Sequence, residues 1–220
     1  MMKEFSNVKA VLFDMDGTLI DTEKIYQDAW VSAIHDMGYE MQVEQYYELR
    51  SLGRPFAPAL LKEWYGTDFD YDRVRKLRTG YFNAWVDAHG IERKPGVIEL
   101  VETLHKKGIL TAIVTATDPE RAERFLKMTG LSGYFDRVIS ATMVTEGKPS
   151  PQVYQYACRE LGFQPAECAA VEDAPNGIRS AYRAGCKVIM VPDLTQPNAE
   201  LKQMLDYCAD SLNDLCDIFA

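Results

Sequence analysis

The sequence predicts an α/β protein with a doubly wound parallel sheet and an all-helical insertion after the first strand. Two observations lead to this prediction. Short apolar runs alternate with segments of helical periodicity over most of the chain, which is typical of parallel strands covered by helices on both faces. One long stretch, residues 22–92, has amphipathic helical segments and no run with a strand pattern.

Five apolar runs of strand length are the predicted strands of the sheet. They lie at Val8–Asp14, Leu110–Thr115, Arg137–Ser140, Ala169–Asp173 and Lys187–Val191. Helix signals separate them, because Asp118 followed by Pro119 is typical of a helix start, and Gly108 after two lysines is typical of a helix end. A helix is therefore predicted from about Gly96 to Lys107, directly before the second run.

The insertion is predicted to form a cap domain of residues 22–92, between the two parts of a core, residues 1–21 and 93–220. Its helices are expected at about Thr22–Met37, Val43–Leu52, Pro55–Tyr65 and Asp70–His89. Apolar residues of the first segment fall on one helical face. Pro95 and Gly96 follow a charged run and mark the return to the core.

Composition restricts the partners. The 220 residues include 24 Lys and Arg against 33 Asp and Glu, a formal net charge of −9, which argues against nucleic acid or an anionic membrane surface as the main partner. No segment approaches the roughly 20 apolar residues of a membrane helix. Five cysteines, an odd number without C-x-x-C spacing, and no leader pattern predict reduced thiols in a cytoplasmic protein. A monomer is the default expectation.

Polar residues gather where predicted strands end, and parallel strands bring those ends to one edge of a sheet. Buried carboxylates without partners are costly, so acids at this edge indicate a cation or a chemical task. Magnesium prefers few carboxylates, waters and a phosphate oxygen, whereas zinc recruits His or Cys, and no histidine lies at a strand end. The polar residues concerned are Asp14, Asp16, Thr115, Glu172 and Asp173, with Lys148 at a helix start suited to an anion.

The pair Asp14 and Asp16 has a second interpretation, a calcium loop. Such a loop needs acids at positions one, three and five with glycine at position six, whereas Gly17 directly follows the second acid. The D-x-D-G pattern alone is weak evidence. The later polar strand ends, in order along the chain, make the catalytic interpretation the stronger one.

Four motifs together resemble, in order and over essentially the whole chain, those of the haloacid dehalogenase superfamily. They are Asp14-Met15-Asp16-Gly17-Thr18, Thr115, Lys148-Pro149-Ser150-Pro151 and Glu172-Asp173. The Asp21-Thr22 pair and the segment from Glu172 to Ile178 are similar to the branch that contains β-phosphoglucomutase and many small-metabolite phosphatases. That branch has a Rossmann-like core with a helical cap after the first strand.

The resemblance implies phosphoryl transfer through a covalent aspartyl-phosphate. Asp14 would attack phosphorus, and Asp16 would protonate the leaving oxygen and then deprotonate the hydrolytic water. The Thr115 hydroxyl, the Ala116 backbone N–H and the Lys148 ammonium would hold the phosphoryl oxygens.

The resemblance also implies a Mg²⁺ site. Its ligands would be the carboxylates of Asp14 and Asp173 and the backbone carbonyl of Asp16. Glu172 would support the metal from outside the first layer of ligands or through a water.

Three activities fit these residues. A second acid at Asp16 favours an oxygen leaving group over a halide, so we expect a phosphatase acting on a small phosphomonoester, a sugar phosphate or similar metabolite. The alternatives are a β-phosphoglucomutase-type mutase and a non-catalytic phosphate-binding protein. Tyr26 and Phe56 stand where that mutase family has a histidine and an arginine, which disfavours the mutase. Arg54, in a cap loop broken by Gly53 and Pro55, is a candidate substrate contact.

Overall fold

A computed structural model describes residues 5–219, whose strands form one parallel sheet. The strands are β1 (Ala10–Phe13), β2 (Leu110–Thr115), β3 (Arg137–Ser140), β4 (Cys168–Glu172), β5 (Lys187–Met190) and β6 (Tyr207–Cys208). Their order is β3-β2-β1-β4-β5-β6, so the connection changes direction at β1. The end of β1 is therefore the switch point at which open parallel sheets bind ligands. The predicted fold class is confirmed, and the sixth strand, of two residues, was not predicted.

The helices of the described residues follow in chain order. They are α1 (Glu23–Asp36), α2 (Val43–Leu49), α3 (Phe56–Tyr65), α4 (Tyr71–His89), α5 (Val97–Lys106), α6 (Pro119–Met128), α7 (Gln152–Leu161), α8 (Pro175–Ala184), α9 (Ala199–Lys202) and α10 (Asn213–Ile218). The side chains of β1 alternate between two apolar clusters. Val11 and Phe13 join the cluster that contains α5, α6 and α10, whereas Ala10 and Leu12 join the one that contains α7, α8 and α9.

Helices α1 to α4 lie between β1 and α5, where the all-helical insertion was predicted. Helices α1 and α4 pack together, and the rings of Tyr26 and Phe82 stack with centroids 4.0 Å apart. The chain leaves and returns to the core at one place, where the Asp21 N–H donates to the Glu92 carbonyl and the Lys94 N–H to the Leu19 carbonyl, each at 2.9 Å. The two connecting segments are thus hydrogen-bonded to each other.

Helix α2 ends earlier than predicted, at Leu49 instead of Leu52. Arg50 has extended ψ (130°) and Ser51 has a positive φ (55°), so the helix cannot continue through them. The difference matters because it releases Arg50 from the surface of a helix and allows its side chain to turn toward the core.

Two further expectations concern the chain as a whole. Among residues 5–219, no helix has both the length and the apolarity needed to cross a lipid bilayer. The five cysteines all carry free thiols.

Candidate active site

Asp14 lies one residue beyond β1, at the switch point of the sheet. Its backbone N–H donates to the Val171 carbonyl of β4 at 2.9 Å, which fixes the position of the carboxyl group above the sheet edge. Carboxylate oxygen Oδ1 accepts from the Lys148 ammonium at 2.5 Å. Oxygen Oδ2 is buried and has no hydrogen-bond partner among the described residues. A buried oxygen without a partner is costly, so Oδ2 is the atom available to a metal or a reacting group.

Lys148 is fully buried beneath the site. Its ammonium donates to Asp14, to Glu172 Oε1 at 2.7 Å and to the Val114 carbonyl at 3.0 Å, which uses all three N–H groups. Burial disfavours its charge, but the two carboxylates outweigh this effect and raise the pKa of Lys148. Tyr154 donates to the same oxygen of Glu172. Lys148 is thus a fixed positive charge shared by two acids.

The Glu172 carboxyl group is enclosed by its surroundings. Burial raises the pKa of Glu172 to about 8, against the opposing charge of Lys148. Its second oxygen, Oε2, is buried without a hydrogen-bond partner among residues 5–219. A Cβ atom at Gly177 would collide with this carboxyl group, so α8 approaches Glu172 only because residue 177 is glycine.

Asp16 has a different environment from Asp14. Its Oδ1 accepts from the Thr22 hydroxyl and its Oδ2 from the Thr117 hydroxyl, both at 2.8 Å. Burial, and then the charge of Asp14, raise the pKa of Asp16. The two hydroxyl hydrogen bonds favour the ionised form but only partly oppose this rise, so the raised pKa favours a carboxyl group that carries a proton, as an acid catalyst must.

Asp173 is held by a residue of the insertion that the sequence analysis did not assign, Arg50. The guanidinium of Arg50 is fully buried and donates to Asp173 Oδ2, to Glu23 Oε2 at 3.0 Å and to the Thr195 hydroxyl at 3.0 Å. Tyr46 also donates to Glu23 Oε2, at 2.5 Å. Nothing in the sequence separates Arg50 from a solvated arginine on a helix, because its role depends on where α2 ends.

The loop that carries Arg50 is docked on the core. The Gly53 N–H donates to the Lys148 carbonyl at 2.8 Å, and the Gly147 N–H donates to the Arg54 carbonyl at 2.9 Å. The Asn176 amide at the start of α8 donates to the Arg50 carbonyl at 2.9 Å. A Cβ atom at Gly53 would lie 2.7 Å from the Gly147 Cα, so this close backbone approach requires glycine.

The acidic cluster fits a hard divalent cation. Asp14, Glu172 and Asp173 each offer a carboxylate oxygen, these atoms lie within 4.8 Å of one another, and all three residues are buried. Two oxygens of the cluster, on Asp14 and Glu172, are the unpartnered atoms described above. Gly17, with φ of +85°, lets the chain pass so near Asp173 that any Cβ would strike its carboxyl group. An all-oxygen donor set of this kind suits Mg²⁺.

Charge at the site leads to the same conclusion. Within residues 5–219, five buried acids face two buried cations, Lys148 and Arg50. The acids are Asp14, Asp16, Glu23, Glu172 and Asp173. Burial raises the pKa of Asp173 to about 7 and that of Glu23 to about 8, although Arg50 opposes both shifts. A divalent cation would offset the excess negative charge.

A cavity of about 370 Å³ lies between the sheet edge and the insertion. Asp14, Asp16 and Ala116 line it, whereas four other predicted site residues are fully buried and do not line it. Those residues are Thr115, Lys148, Glu172 and Asp173. The Thr115 hydroxyl oxygen accepts from the Thr117 N–H at 3.0 Å.

Arg54, the predicted substrate contact, also lines the cavity. Its guanidinium pairs with Asp72 and lies 4.9 Å from the centre of the Tyr71 ring. About half of the side chain is exposed. Arg54 therefore stands at the mouth of the cavity with its charge partly engaged.

Comparisons with known proteins agree with this geometry. A family model for haloacid dehalogenase-like hydrolases matches residues 8–185. Hexitol phosphatase A of Escherichia coli K12 is 34% identical over 184 residues, 83% of this chain and 82% of that protein. The chloroplastic protein SUPPRESSOR OF QUENCHING 1 of Arabidopsis thaliana is 31% identical over 196 residues, and these cover 86% of this chain but only 18% of the plant protein.

A crystal structure of CbbY from Rhodobacter sphaeroides in complex with phosphate has 27% identity and a TM-score of 0.76, covering 94% of this chain and 96% of that one. The phosphatase among the relatives supports the predicted enzyme class, a phosphoric monoester hydrolase. The family match over most of the length shows that the chain belongs to the haloacid dehalogenase-like hydrolases, as the order of its motifs predicts.

Proposed function

We propose that the chain is a Mg²⁺-dependent phosphatase that hydrolyses a small phosphomonoester, a sugar phosphate or similar metabolite, through an aspartyl-phosphate on Asp14. The observation that supports this most is the asymmetry of the two acids. Among the described residues, Asp14 has one oxygen bound by Lys148 and one unpartnered, whereas the Asp16 carboxyl group, on the same cavity, accepts only from two hydroxyls and has a pKa raised by burial. One is suited to be a nucleophile and the other a proton donor.

In the first step, Asp14 Oδ2 attacks phosphorus while the bond from phosphorus to the leaving oxygen breaks. Asp16 gives its proton to that oxygen, so the product leaves as a neutral alcohol. Lys148 remains bound to Oδ1 and limits the change in charge on Asp14.

In the second step, water attacks the phosphorus of the aspartyl-phosphate and the bond to Asp14 Oδ2 breaks. Asp16, now ionised, takes a proton from the water and returns to its starting state. Inorganic phosphate and the free Asp14 carboxylate are the products, so atoms and charges balance over the cycle.

The residues proposed to hold the phosphoryl group lie at the end of β2 and just before α7. The Thr115 hydroxyl, the Ala116 N–H and the Lys148 ammonium are the proposed donors to its oxygens. All three N–H groups of Lys148 are in use in the free protein, so one must exchange its acceptor for a phosphoryl oxygen.

Asp14, Asp173 and the Asp16 backbone carbonyl are the proposed ligands of Mg²⁺, with Glu172 in support. When bound, the metal supplies positive charge at the phosphoryl oxygens and offsets the negative charge of the cluster. The Arg50 guanidinium, which belongs to the insertion, already offsets part of the negative charge of Asp173.

The remaining parts of the proposal concern the whole chain. Residues 22–92 act as a cap domain that covers the cavity, excludes water and selects the alcohol part of the substrate. The free thiols are compatible with a reducing compartment, the cytoplasm. A monomer remains the default proposal.

A screen of phosphorylated metabolites tests this function. The purified protein is stripped with EDTA, returned to Mg²⁺ or left without it, and both inorganic phosphate and isomerised sugar phosphate are measured. The proposal expects Mg²⁺-dependent release of phosphate from p-nitrophenyl phosphate and from at least one metabolite, and none with Asp14→Asn.

Two results would contradict the proposal. Conversion of β-glucose 1-phosphate to glucose 6-phosphate with little free phosphate would identify a mutase instead. Binding of phosphate without turnover of any phosphomonoester would identify a non-catalytic binding protein.

A further inference from the structure

Three arginines of the cavity have no part in the proposed phosphoryl transfer. They are Arg75 and Arg78 of α4 and Arg121 of α6, and all three line the cavity. Neither Arg75 nor Arg78 forms an ion pair with any residue in the described range 5–219. Such a concentration of positive charge is unexpected on general grounds, because the chain has a net charge of −9.

Two of these guanidinium groups, which are half-buried, each have a buried nitrogen without a partner in the described part of the chain. The Nε atoms of Arg78 and Arg121 are buried and have no hydrogen-bond acceptor among residues 5–219. A buried N–H of a charged group without an acceptor is costly unless a ligand supplies one. Burial lowers the pKa of Arg78, the nearby charge of Arg121 adds to this effect, and Tyr26 offsets only part of it.

Tyr26 joins the two groups. The guanidinium of Arg78 lies 5.1 Å from the centre of the Tyr26 ring and 5.2 Å from that of Trp30. Arg121 donates to the Tyr26 hydroxyl at 2.9 Å. Two like charges are thus fixed around one neutral side chain, an arrangement that an anion would stabilise.

The position of this cluster relates it to the leaving group. Tyr26 and Arg121 lie near Asp16. Burial raises the pKa of Tyr26, and the charge of Asp16 adds to this effect. The charge of Arg121 in turn opposes the rise in the pKa of Asp16. Thr117, which binds Asp16 Oδ2 at 2.8 Å, lines the same cavity. Because Asp16 is the proposed acid for the leaving oxygen, the alcohol part of the substrate lies on this side.

We propose that the alcohol part of the substrate carries a second anionic group, a carboxylate or a phosphate, which Arg78 binds together with Arg75 and Arg121. The inference rests on the proposed phosphatase function and names the class of phosphomonoester. Planar guanidinium groups bind both kinds of anion through paired N–H donors. A cavity of about 370 Å³ is within the usual size range for a small metabolite.

Three substrates with one six-carbon skeleton test the proposal. Sorbitol 6-phosphate has a neutral far end, 6-phosphogluconate a carboxylate and sorbitol 1,6-bisphosphate a second phosphate. We expect kcat/KM to be at least about tenfold higher for one of the two anionic compounds than for sorbitol 6-phosphate. The anionic compound with the higher kcat/KM identifies the preferred anion. A bisphosphate has two phosphates that can react, but this raises kcat/KM only about twofold and cannot account for a roughly tenfold difference.

Variants assign the preference to the arginines. Arg78→Gln should lower kcat/KM for the preferred anionic compound at least about fivefold more than it lowers kcat/KM for sorbitol 6-phosphate, and so remove most of the roughly tenfold preference. If Arg78→Gln fails to fold, Arg75→Gln takes its place and should reduce the preference in the same direction. Arg73→Gln is the matched control, because Arg73 lies on the same helix, is exposed and does not line the cavity.

A binding measurement separates this inference from the phosphatase function. The Asp14→Asn protein is titrated by calorimetry with 6-phosphogluconate, sorbitol 1,6-bisphosphate and sorbitol 6-phosphate, with and without Arg78→Gln. If either anionic compound binds more tightly than sorbitol 6-phosphate and Arg78→Gln abolishes the difference, the result supports the second anion site, even if the wild-type protein hydrolyses none of the compounds. Equal kcat/KM for all three substrates, equal affinities for all three ligands, or an equal loss for all substrates in Arg78→Gln would overturn the proposal.

Discussion

The guanidinium of Arg50, in the insertion, donates to Oδ2 of Asp173, at the edge of the core sheet. The same guanidinium binds Glu23 at the start of α1, so one cation neutralises two buried acids. The ion pair thus joins a cation of the insertion to Asp173, which is also a proposed ligand of Mg²⁺. We therefore expect stability and metal binding to be coupled through Asp173.

Replacing Arg50 should make the stability of the protein depend on the metal. Arg50→Gln leaves Asp173 and Glu23 buried without a cation, so we expect a loss of about 3–5 kcal/mol in the free energy of unfolding without metal. Saturating Mg²⁺ should recover more stability in the variant than in wild type, because the metal then supplies the missing charge. Urea unfolding with EDTA or with Mg²⁺ measures both quantities.

Arg54→Gln is the control for this experiment. Arg54 is a neighbouring arginine whose pair with Asp72 is largely exposed, and such pairs contribute at most about 1 kcal/mol. An equal gain from Mg²⁺ in the Arg50 variant and wild type would contradict the coupling.

The covalent step predicts a burst in the Asp16→Asn variant. p-Nitrophenolate needs little help from an acid, so Asp14 should still be phosphorylated and release one equivalent of p-nitrophenol per site. Hydrolysis of the aspartyl-phosphate lacks its base, and steady turnover should fall at least about 100-fold. Stopped-flow absorbance measures the burst, and the Asp14→Asn variant should show neither burst nor turnover. A low steady rate in Asp16→Asn without a burst would argue against a covalent intermediate.

The core and the catalytic acids could be predicted from the sequence because their signals are local. An apolar run before Asp14 and a polar end after Val171 are visible within a few residues, and the switch-point rule then brings the two strands together. Arg50 could not be predicted this way. Its contact with Asp173 depends on the last turn of α2 and on the docking of a loop across 123 positions of sequence.

The three arginines on the other side of the cavity also could not be recognised as a cluster from the sequence. Arg78 and Arg121 belong to helices separated by the second strand, and each alone fits a charged residue of an amphipathic helix. Only the packing of α4 against α1 brings Arg78 to Tyr26. The insertion therefore determines the chemistry of the cavity wall, and helical periodicity does not encode it.

The metal-free protein should lose stability as the pH rises. Burial raises the pKa of Asp173 to about 7 and those of Glu23 and Glu172 to about 8, whereas the unfolded chain has ordinary values near 4. Between about pH 4 and pH 8 the folded state then binds more protons than the unfolded state, so the free energy of unfolding falls across this window.

Urea midpoints of the EDTA-treated protein at pH 5.5 and pH 8.5 test this sign. The midpoint should be lower at pH 8.5, and saturating Mg²⁺ should reduce the difference because it favours the ionised carboxylates. A metal-free midpoint that rises with pH would show that Lys148 and Arg50 already keep these acids ionised.

The docked loop predicts an unequal effect of two glycine substitutions. Gly53→Ala places a Cβ 2.7 Å from the Gly147 Cα, a backbone atom, so the loop must move away and lengthen its 2.8 Å hydrogen bond to the Lys148 carbonyl. We expect a loss of about 1–3 kcal/mol in stability. Because this loop carries Arg50 and Arg54 to the cavity, kcat/KM should fall at least about tenfold.

Gly80→Ala is the matched substitution in the same insertion. Gly80 lies within α4, its added methyl group would have no neighbour within 4 Å among the described residues, and alanine is the better helix former by up to about 1 kcal/mol. Its stability should therefore be unchanged or slightly increased, with unchanged kcat/KM. Thermal unfolding and steady-state kinetics on the two variants decide the matter, since equal effects at both positions would mean that the contact between Gly53 and Gly147 does not position the loop.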